Sequence, residues 1–206
     1  MTNGSMRRLI LVPILHTQAD MGSVSESVRS LYKQKLGKTE WERHVKTVDN
    51  MWKAIRNKIN RMDLDYEKLR LYQDGLPNCG READIVTDLA EAGSQNHQLL
   101  LNLMEKGGQL VGTESPDLLM EEYELVQQAL KSLECGGTDD PAGTRGPERE
   151  ALLKKRDRHI ANRIDETLHQ DETGVIFLGL LHSLGEHLPQ DVRLITLDEG
   201  IRFLVK

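Results

Sequence analysis

Four polar residues lie at the carboxyl ends of predicted strands, and the two histidines among them directly follow strongly apolar runs. The four residues are His16, Asp74, Glu114 and His182. In an open α/β sheet the carboxyl ends of parallel strands meet at one edge, and ligands bind just beyond them. Two imidazoles and a carboxylate are suitable ligands for zinc, manganese or iron with one coordination position left open. The sequence therefore predicts a metal site of His16, Asp74 and His182, with Glu114 as a further carboxylate.

A helix predicted over residues 148–169 carries an acidic residue on its apolar face. This face consists of Leu153, Ile160, Ala161, Ile164 and Leu168. At about 100° per residue, Asp157 lies within about 20° of the centre of the face, and Arg156 lies at its edge. Burying a carboxylate without a partner costs several kcal/mol, so Asp157 needs a partner. Two interpretations are open: Asp157 orients a histidine, or it pairs with an arginine in a structural salt bridge.

The order of these residues resembles the TraB/PrgY family, which is grouped with erythromycin esterase-like and ChaN-like proteins. That family's pattern is a first strand ending in histidine, a second strand ending in an acidic residue, an Arg-Asp pair on a helix and a last strand with the motif G-x-x-H. Here the matching residues are His16, Asp74, Arg156-Asp157 and Gly179-Leu180-Leu181-His182. The sequence departs from the family by having Pro13-Ile14-Leu15 before His16 instead of G-T-x, and Asp74 where glutamate is usual.

The resemblance implies a site and two classes of function. Some members of the superfamily are metal-dependent proteases or hydrolases, whereas others bind haem or act in signalling. We therefore expect a metal-dependent hydrolase of esterase or peptidase type, acting on a small-molecule or peptide substrate. A bound divalent metal lowers the pKa of water and polarises a carbonyl. The residues expected to support catalysis are Asp74, Glu114, Arg156 and Asp157, with one carboxylate at the sheet edge as the general base.

Two other interpretations of the same residues are open. In the first, the site binds a metal or a small ligand without turnover, and the protein regulates a partner or dimerises through a long helix. In the second, the polar residues only end strands, where polar side chains are common. Testing metal-loaded protein on esters, peptides and phosphoesters separates the hydrolase from the binding protein.

Alternating strand and helix patterns predict an α/β domain with a mostly parallel central sheet and helices on both faces. The segment Gly174–Ser183 is a nearly continuous apolar run, which predicts a fully buried central strand with His182 where it leaves the core. Further strands are predicted at residues 8–15, 69–75, 109–112, 191–196 and 201–205, the last two as a hairpin around residues 198–200. Helices are predicted at residues 23–36, from 39 onward, and at 82–92, 94–106, 115–134 and 148–169.

The longest predicted helix begins near Thr39 and carries one narrow apolar stripe. The stripe consists of Trp41, Val45, Val48, Trp52, Ile55 and Ile59. Their spacing is typical of an amphipathic helix that packs on the sheet or in a helical hairpin. The alternative is a partner face that uses both tryptophans, which would make the protein a homodimer through Trp41 and Trp52.

Composition limits the size of the domain and the class of partner. With 206 residues, 29 % of them charged, the chain is long enough to form one domain, residues 1–206, with a sizeable core. Its formal net charge of −6 argues against binding to nucleic acid or to an anionic membrane, which requires a basic surface. No apolar run approaches the ~18–20 residues of a transmembrane helix.

The cysteines and the first residues of the chain predict a cytoplasmic protein. Cys79 and Cys135 form no C-x-x-C pair, which favours free thiols in a reducing compartment. Arg7-Arg8 begins a short apolar run like that of a signal peptide, but Pro13 and the polar residues after the run favour a buried first strand. The Gly- and Pro-rich segment 135–147 predicts a flexible loop within the domain, either a plain insertion or a mobile lid.

Overall fold

A parallel β-sheet in the strand order β3-β2-β4-β1-β5 forms the centre of the protein. A computed structural model describes residues 6–14, 38–134 and 146–197. The strands in these residues are β1 (Arg7–Ile14), β2 (Leu69–Gln73), β3 (Gln109–Leu110), β4 (Thr173–Gly179) and β5 (Val192–Thr196). The helices are α1 (Lys38–Asn60), α2 (Glu82–Glu91), α3 (Gln95–Glu105), α4 (Pro116–Glu134) and α5 (Pro147–Thr167). Helices cover both faces of the sheet, and the predicted α/β class with a parallel sheet is confirmed.

Strand β4 is the central strand, as its apolar sequence predicts. Val175 pairs with Ile10 of β1 on one side and with Leu71 of β2 on the other. Branched and aromatic side chains fill both faces of β4, and Ile176 and Phe177 are completely buried. A strand enclosed on both faces favours such a continuous apolar run over an alternating pattern.

The prediction that the buried strand continues to His182 is wrong. β4 ends at Gly179, and the chain then turns, with the His182 N–H donating to the Gly179 carbonyl at 3.1 Å. On the side of β2, strand pairing ends at Gln73, and the Gly179 N–H donates to the Asp74 side chain instead of to a neighbouring strand. On the other side, Gly179 pairs with Ile14, the last residue of β1. Leu180 and Leu181 are consequently exposed, by 45 % and 58 %.

Helix α1 packs on one face of the sheet together with α2 and α3. Trp52 is almost completely buried and packs against Phe177 of β4, with ring centroids 6.5 Å apart. This contact confirms that the apolar stripe of α1 packs on the sheet. Trp52 therefore belongs to the core of its own chain and not to an exposed partner surface, which corrects that part of the dimer prediction. Val45 is 41 % exposed, and formation of a homodimer stays a prediction.

Helix α5 packs on the opposite face of the sheet. Its inward side chains join those of β1, β2 and β4 in a second cluster that includes Leu9, Tyr72, Ile160, Ile164 and Ile176. α4 lies against α5, linked by an ion pair between Lys155 and Glu121. The face of α5 that contacts the sheet is the predicted one, except that the buried leucine in its first half is Leu152 and not Leu153, which is only half-buried.

Several predicted features lie outside the described residues. They are His16, Cys135, the helix at residues 23–36, loop residues 135–145 and the strand at 201–205 with its hairpin. Pro147, predicted to be the last loop residue, is instead the first residue of α5, a position that favours proline because no helical hydrogen bond needs its N–H. Among the described helices, none combines the length and apolar character needed to cross a membrane.

Candidate metal centre

Three chain segments and one helix bring polar side chains together at the carboxyl edge of the sheet, on the face covered by α5. Asp74 follows β2 directly, Glu114 follows β3 after a short extended segment, and His182 lies in the turn after β4. Helix α5 contributes Arg156 and Asp157, which are neighbours in sequence and both buried. The structure thus places together five residues that the sequence singles out.

Asp74 connects the end of β4 to α5. Its backbone N–H donates to the Phe177 carbonyl at 2.9 Å, as in a further residue of the sheet, and this contact fixes the position of the Asp74 backbone. One carboxylate oxygen, Oδ2, accepts the Gly179 N–H at 2.9 Å, and the other, Oδ1, accepts from Arg156 Nη2 at 2.8 Å. The carboxylate is therefore held by both the sheet and the helix.

Glu114 is positioned by a single parallel bridge to Pro77 beyond the end of β3. Its backbone N–H donates to the Leu76 carbonyl at 2.9 Å, and its carbonyl accepts from Asn78 N–H at 2.9 Å. The carboxylate is fully buried and forms a two-point contact with Arg156, Nη2 to Oε1 at 2.6 Å and Nε to Oε2 at 3.2 Å. Burial raises the pKa of the Glu114 carboxyl, although Arg156 acts in the opposite direction.

His182 is oriented by Asp157. Its Nδ1 donates to Asp157 Oδ1 at 2.6 Å, and the Asp157 Oδ2 atom accepts the Ser183 N–H at 3.0 Å. Of the two interpretations of Asp157, the structure therefore selects the one in which the carboxylate orients a histidine. The other ring nitrogen, Nε2, lies 3.4 Å from Asp74 Oδ2.

The carboxylates around His182 keep its imidazole charged. Burial lowers the pKa of His182, but the hydrogen bonds with Asp157 and Asp74 outweigh it and raise the pKa to about 10. The Arg156 guanidinium behaves similarly, because burial disfavours its charge while Glu114 and Asp74 favour it and raise its pKa overall. At neutral pH the centre thus holds two cations beside its carboxylates.

Glu122 is a member of this centre that sequence reasoning missed. It lies on α4 and accepts from Arg156 Nη1 at 2.6 Å, with its side chain 46 % exposed. Glu121 and Glu124 lie close by on the same helix, and the sequence contains no signal that tells which of these acids contacts Arg156. Only the packing of α4 on α5 selects Glu122.

Asp74, Glu114 and His182 could hold a metal ion. Each offers one ligand atom, and these atoms lie within 4.8 Å of one another. Two ligands bound at about 2.1 Å to one ion in tetrahedral geometry are roughly 3.4 Å apart, which matches the distance between His182 Nε2 and Asp74 Oδ2. The contact between Asp157 and Nδ1 leaves Nε2 as the ligand atom, which is the usual arrangement behind a metal-binding histidine. An ion would compete with Arg156 for Glu114, because both oxygens of that carboxylate contact the guanidinium.

The predicted ligand set is partly assembled in the described residues. Asp74 and His182 lie together, while His16 lies outside the described residues and its role stays a prediction. Glu114, predicted as an additional carboxylate, is the third residue of the group.

Comparisons with known proteins do not extend these observations. No protein-family model matches the sequence, and neither the curated proteins nor the solved structures give a significant match. The resemblance to the TraB/PrgY family therefore stays a prediction.

Proposed function

We propose that this protein is a metal-dependent hydrolase that cleaves an ester or peptide bond at the carboxyl edge of the sheet. The observation that carries the proposal is the position of His182, whose imidazole lies between Asp157 at 2.6 Å and Asp74 at 3.4 Å. In a metal-binding histidine, one ring nitrogen typically donates to a carboxylate and the other faces the metal and its further ligands. The contacts of His182 with Asp157 and Asp74 fit this arrangement.

The donor set suits zinc, manganese or iron, since it combines one imidazole with carboxylate oxygens. When bound, such an ion supplies a water of lowered pKa and polarises the scissile carbonyl. Asp74, Glu114 and His182 would hold it. Asp157 fixes the ring of His182, and the Arg156 guanidinium can stabilise negative charge that develops on the carbonyl oxygen.

A carboxylate of the centre serves as the general base in this proposal. Glu114 suits the role because burial raises the pKa of its carboxyl. One of its oxygens would then ligate the ion and the other would accept the proton. Without an ion, Arg156 holds both oxygens of this carboxylate, and an ion would replace at least one of these contacts. Asp74 is held at both oxygens, by Gly179 and by Arg156, and is better suited to a fixed ligand.

The charge balance supports a cation at this position. Asp74, Glu114, Asp157 and Glu122 are four carboxylates in contact with two cationic groups, Arg156 and protonated His182. Metal ligation requires the neutral imidazole, so an ion would replace the proton on Nε2 and increase the positive charge of the centre. Binding should therefore release protons.

The test is metal content and turnover of the full chain. Purified protein, loaded with zinc or manganese, should hold about one equivalent by elemental analysis and hydrolyse a member of a panel of esters and peptides. His182→Ala should lose both properties, whereas His187→Ala, in the next turn of the chain, should retain them. Wild-type protein that holds no metal under any loading condition would contradict the proposal. His16→Ala tests whether the histidine predicted from the sequence belongs to the same set.

A second candidate is a metal- or ligand-binding regulatory protein without turnover. Burial of the centre favours it, because the side chains of Asp74, Glu114 and His182 are exposed by only 3 %, 0 % and 4 %. Stoichiometric metal binding with no turnover of any ester or peptide would select this candidate over the hydrolase.

A further inference from the structure

Arg156 is a buried cation that carboxylates of the centre surround. Its Nη2 atom donates to Asp74 Oδ1 at 2.8 Å and to Glu114 Oε1 at 2.6 Å, and its Nε atom donates to Glu114 Oε2 at 3.2 Å. A buried charge that loses its partner is costly. A second cation can therefore enter the centre only if Arg156 keeps a carboxylate partner.

The three residues that could hold a metal ion differ in what each gives up to bind it. Asp74 contacts Arg156 through Oδ1, whereas its Oδ2 atom lies 3.4 Å from His182 Nε2. His182 has to lose the proton on Nε2. Glu114 differs from both, because Arg156 contacts both of its oxygens. Metal binding to Glu114 therefore removes a hydrogen bond from the buried guanidinium.

Glu122 on α4 provides Arg156 with a partner outside the set of possible ligands. It accepts from Arg156 Nη1 at 2.6 Å. Asp74 and Glu114 use Nη2 and Nε, so a metal ion at Glu114 leaves the Nη1 contact intact. The Glu122 side chain is 46 % exposed, so water solvates it while it holds the guanidinium. Glu122 can thus keep a carboxylate on Arg156 when Glu114 changes its partner.

We propose that Arg156 and a metal ion compete for Glu114, and that Glu122 is the positioning residue that retains Arg156 when the ion binds. The inference rests on the metal site of the proposed function and adds the residues that set its affinity. Loss of Glu122 makes the displacement of Arg156 from Glu114 more costly and weakens metal binding. Loss of Arg156 frees Glu114 and strengthens metal binding.

The experiment measures the dissociation constant of zinc for the full chain by calorimetric titration at a fixed pH. Glu122→Gln should weaken zinc binding roughly tenfold, the lower end of the range for groups that support metal ligands. Glu121→Gln is the matched control and should bind zinc as wild type does. Glu121 is the neighbouring residue, is 45 % exposed and contacts Lys155 instead of Arg156.

Urea unfolding in the presence of a chelator distinguishes positioning from a general structural role. Glu122 and Glu121 are both about half exposed, and ion pairs at such positions contribute little to stability. The unfolding midpoints of Glu122→Gln and Glu121→Gln should therefore lie close to that of wild type. A loss of zinc affinity in Glu122→Gln then reflects the centre and not the fold.

A double-mutant comparison shows whether Glu122 acts through Arg156. Arg156→Met should bind zinc more tightly than wild type, and in this background Glu122→Gln should not weaken binding further. Arg156→Lys serves the same purpose if the methionine variant does not fold. Lysine keeps the charge but lacks the planar fork that holds both oxygens of Glu114, so this variant should also bind zinc more tightly than wild type.

The outcomes separate this inference from the proposed function. Equal zinc affinity of Glu122→Gln and Glu121→Gln overturns the positioning role and leaves the hydrolase intact. The same loss in the wild-type and Arg156→Met backgrounds also overturns it, because Glu122 then acts by its charge and not through Arg156. The expected affinities without turnover of any ester or peptide support the inference and overturn the hydrolase. Failure of wild type to bind zinc or any other divalent metal overturns both.

Discussion

Two buried arginines lie at opposite edges of the sheet and differ in what surrounds them. Arg7 is the first residue of β1 and lies at the amino edge, whereas Arg156 projects from α5 at the carboxyl edge. Arg7 donates to the carboxylates of Asp165 and Asp191 and to the backbone carbonyls of Asp165 and Leu168 near the end of α5. Its contacts therefore connect the first strand, the end of a helix and the residue before β5.

The carboxylates explain the difference between the two edges. The partners of Arg7 are about half exposed, 54 % for Asp165 and 49 % for Asp191, so water also solvates them. The partners of Arg156 at Asp74 and Glu114 are buried, and a further buried pair, Asp157 and His182, lies beside them. A buried arginine whose carboxylate partners are solvated, such as Arg7, therefore indicates only a contribution to stability. Several buried carboxylates around a histidine indicate a site, because such charge is costly without a cation.

Arg156→Met is expected to have the largest effect on stability. It removes the guanidinium that contacts both Asp74 and Glu114, and losing one partner of a buried ion pair costs about 3–5 kcal/mol. Urea unfolding in the presence of a chelator should show this loss, and a divalent cation should recover part of it. Arg7→Met should cause a smaller loss without metal recovery. Equal recovery of stability by the metal in the two variants would contradict the proposed difference between the two edges.

The second prediction concerns pH. The pKa of His182 is raised to about 10 in the folded protein, compared with about 6.5 in the unfolded chain. Its contribution to stability is therefore fully present below about pH 6.5 and is lost as the pH rises to about 10. In metal-free protein, the difference in unfolding free energy between wild type and His182→Gln should shrink across this range by a few kcal/mol. The contact between Arg7 and Asp191 raises the pKa of the arginine and lowers the pKa of the carboxyl, so Arg7→Met should leave the pH slope of wild type unchanged across this range.

Asp157→Asn tests whether the Asp157 carboxylate orients the His182 ring for metal binding. Removing the carboxylate behind a metal-binding histidine typically lowers metal affinity about 10- to 100-fold. Calorimetric titration with zinc should show this decrease. Asp165→Asn is the matched control, because Asp165 lies on the same helix and contacts Arg7 instead of His182. Equal affinity in the two variants would rule out the orienting role.

Asp165→Asn is expected to change the stability of the protein least. Asp165 is half exposed, and exposed ion pairs contribute at most about 1 kcal/mol. Arg7 keeps Asp191 and two backbone carbonyls as partners. Thermal unfolding should change little. A loss as large as that of Arg156→Met would show that the two edges do not differ in the way proposed.

The local features of the fold could be predicted from the sequence. The apolar run at 174–179 identifies β4 as the central strand, because only a strand covered on both faces needs apolar residues at consecutive positions. The break between α2 and α3 follows from Gly93, with a φ of +96°, and from Ser94, which caps α3 by accepting the His97 N–H at 3.3 Å. Helical periodicity also places Asp157 on the buried face of α5. Each of these features depends on residues within one element.

Only the tertiary structure decided how the elements combine into a centre. The sequence places Asp157 on a buried face, but the contact with His182 depends on where β4 ends. At that end the Gly179 N–H donates to Asp74, which follows β2 and is about one hundred residues away in the chain. Leu180 and Leu181 continue the apolar pattern of β4 and are nevertheless exposed, and Glu122 is one of several acids on α4. Periodicity reports the side of an element on which a residue lies, whereas contacts between elements depend on the length and pairing of their neighbours.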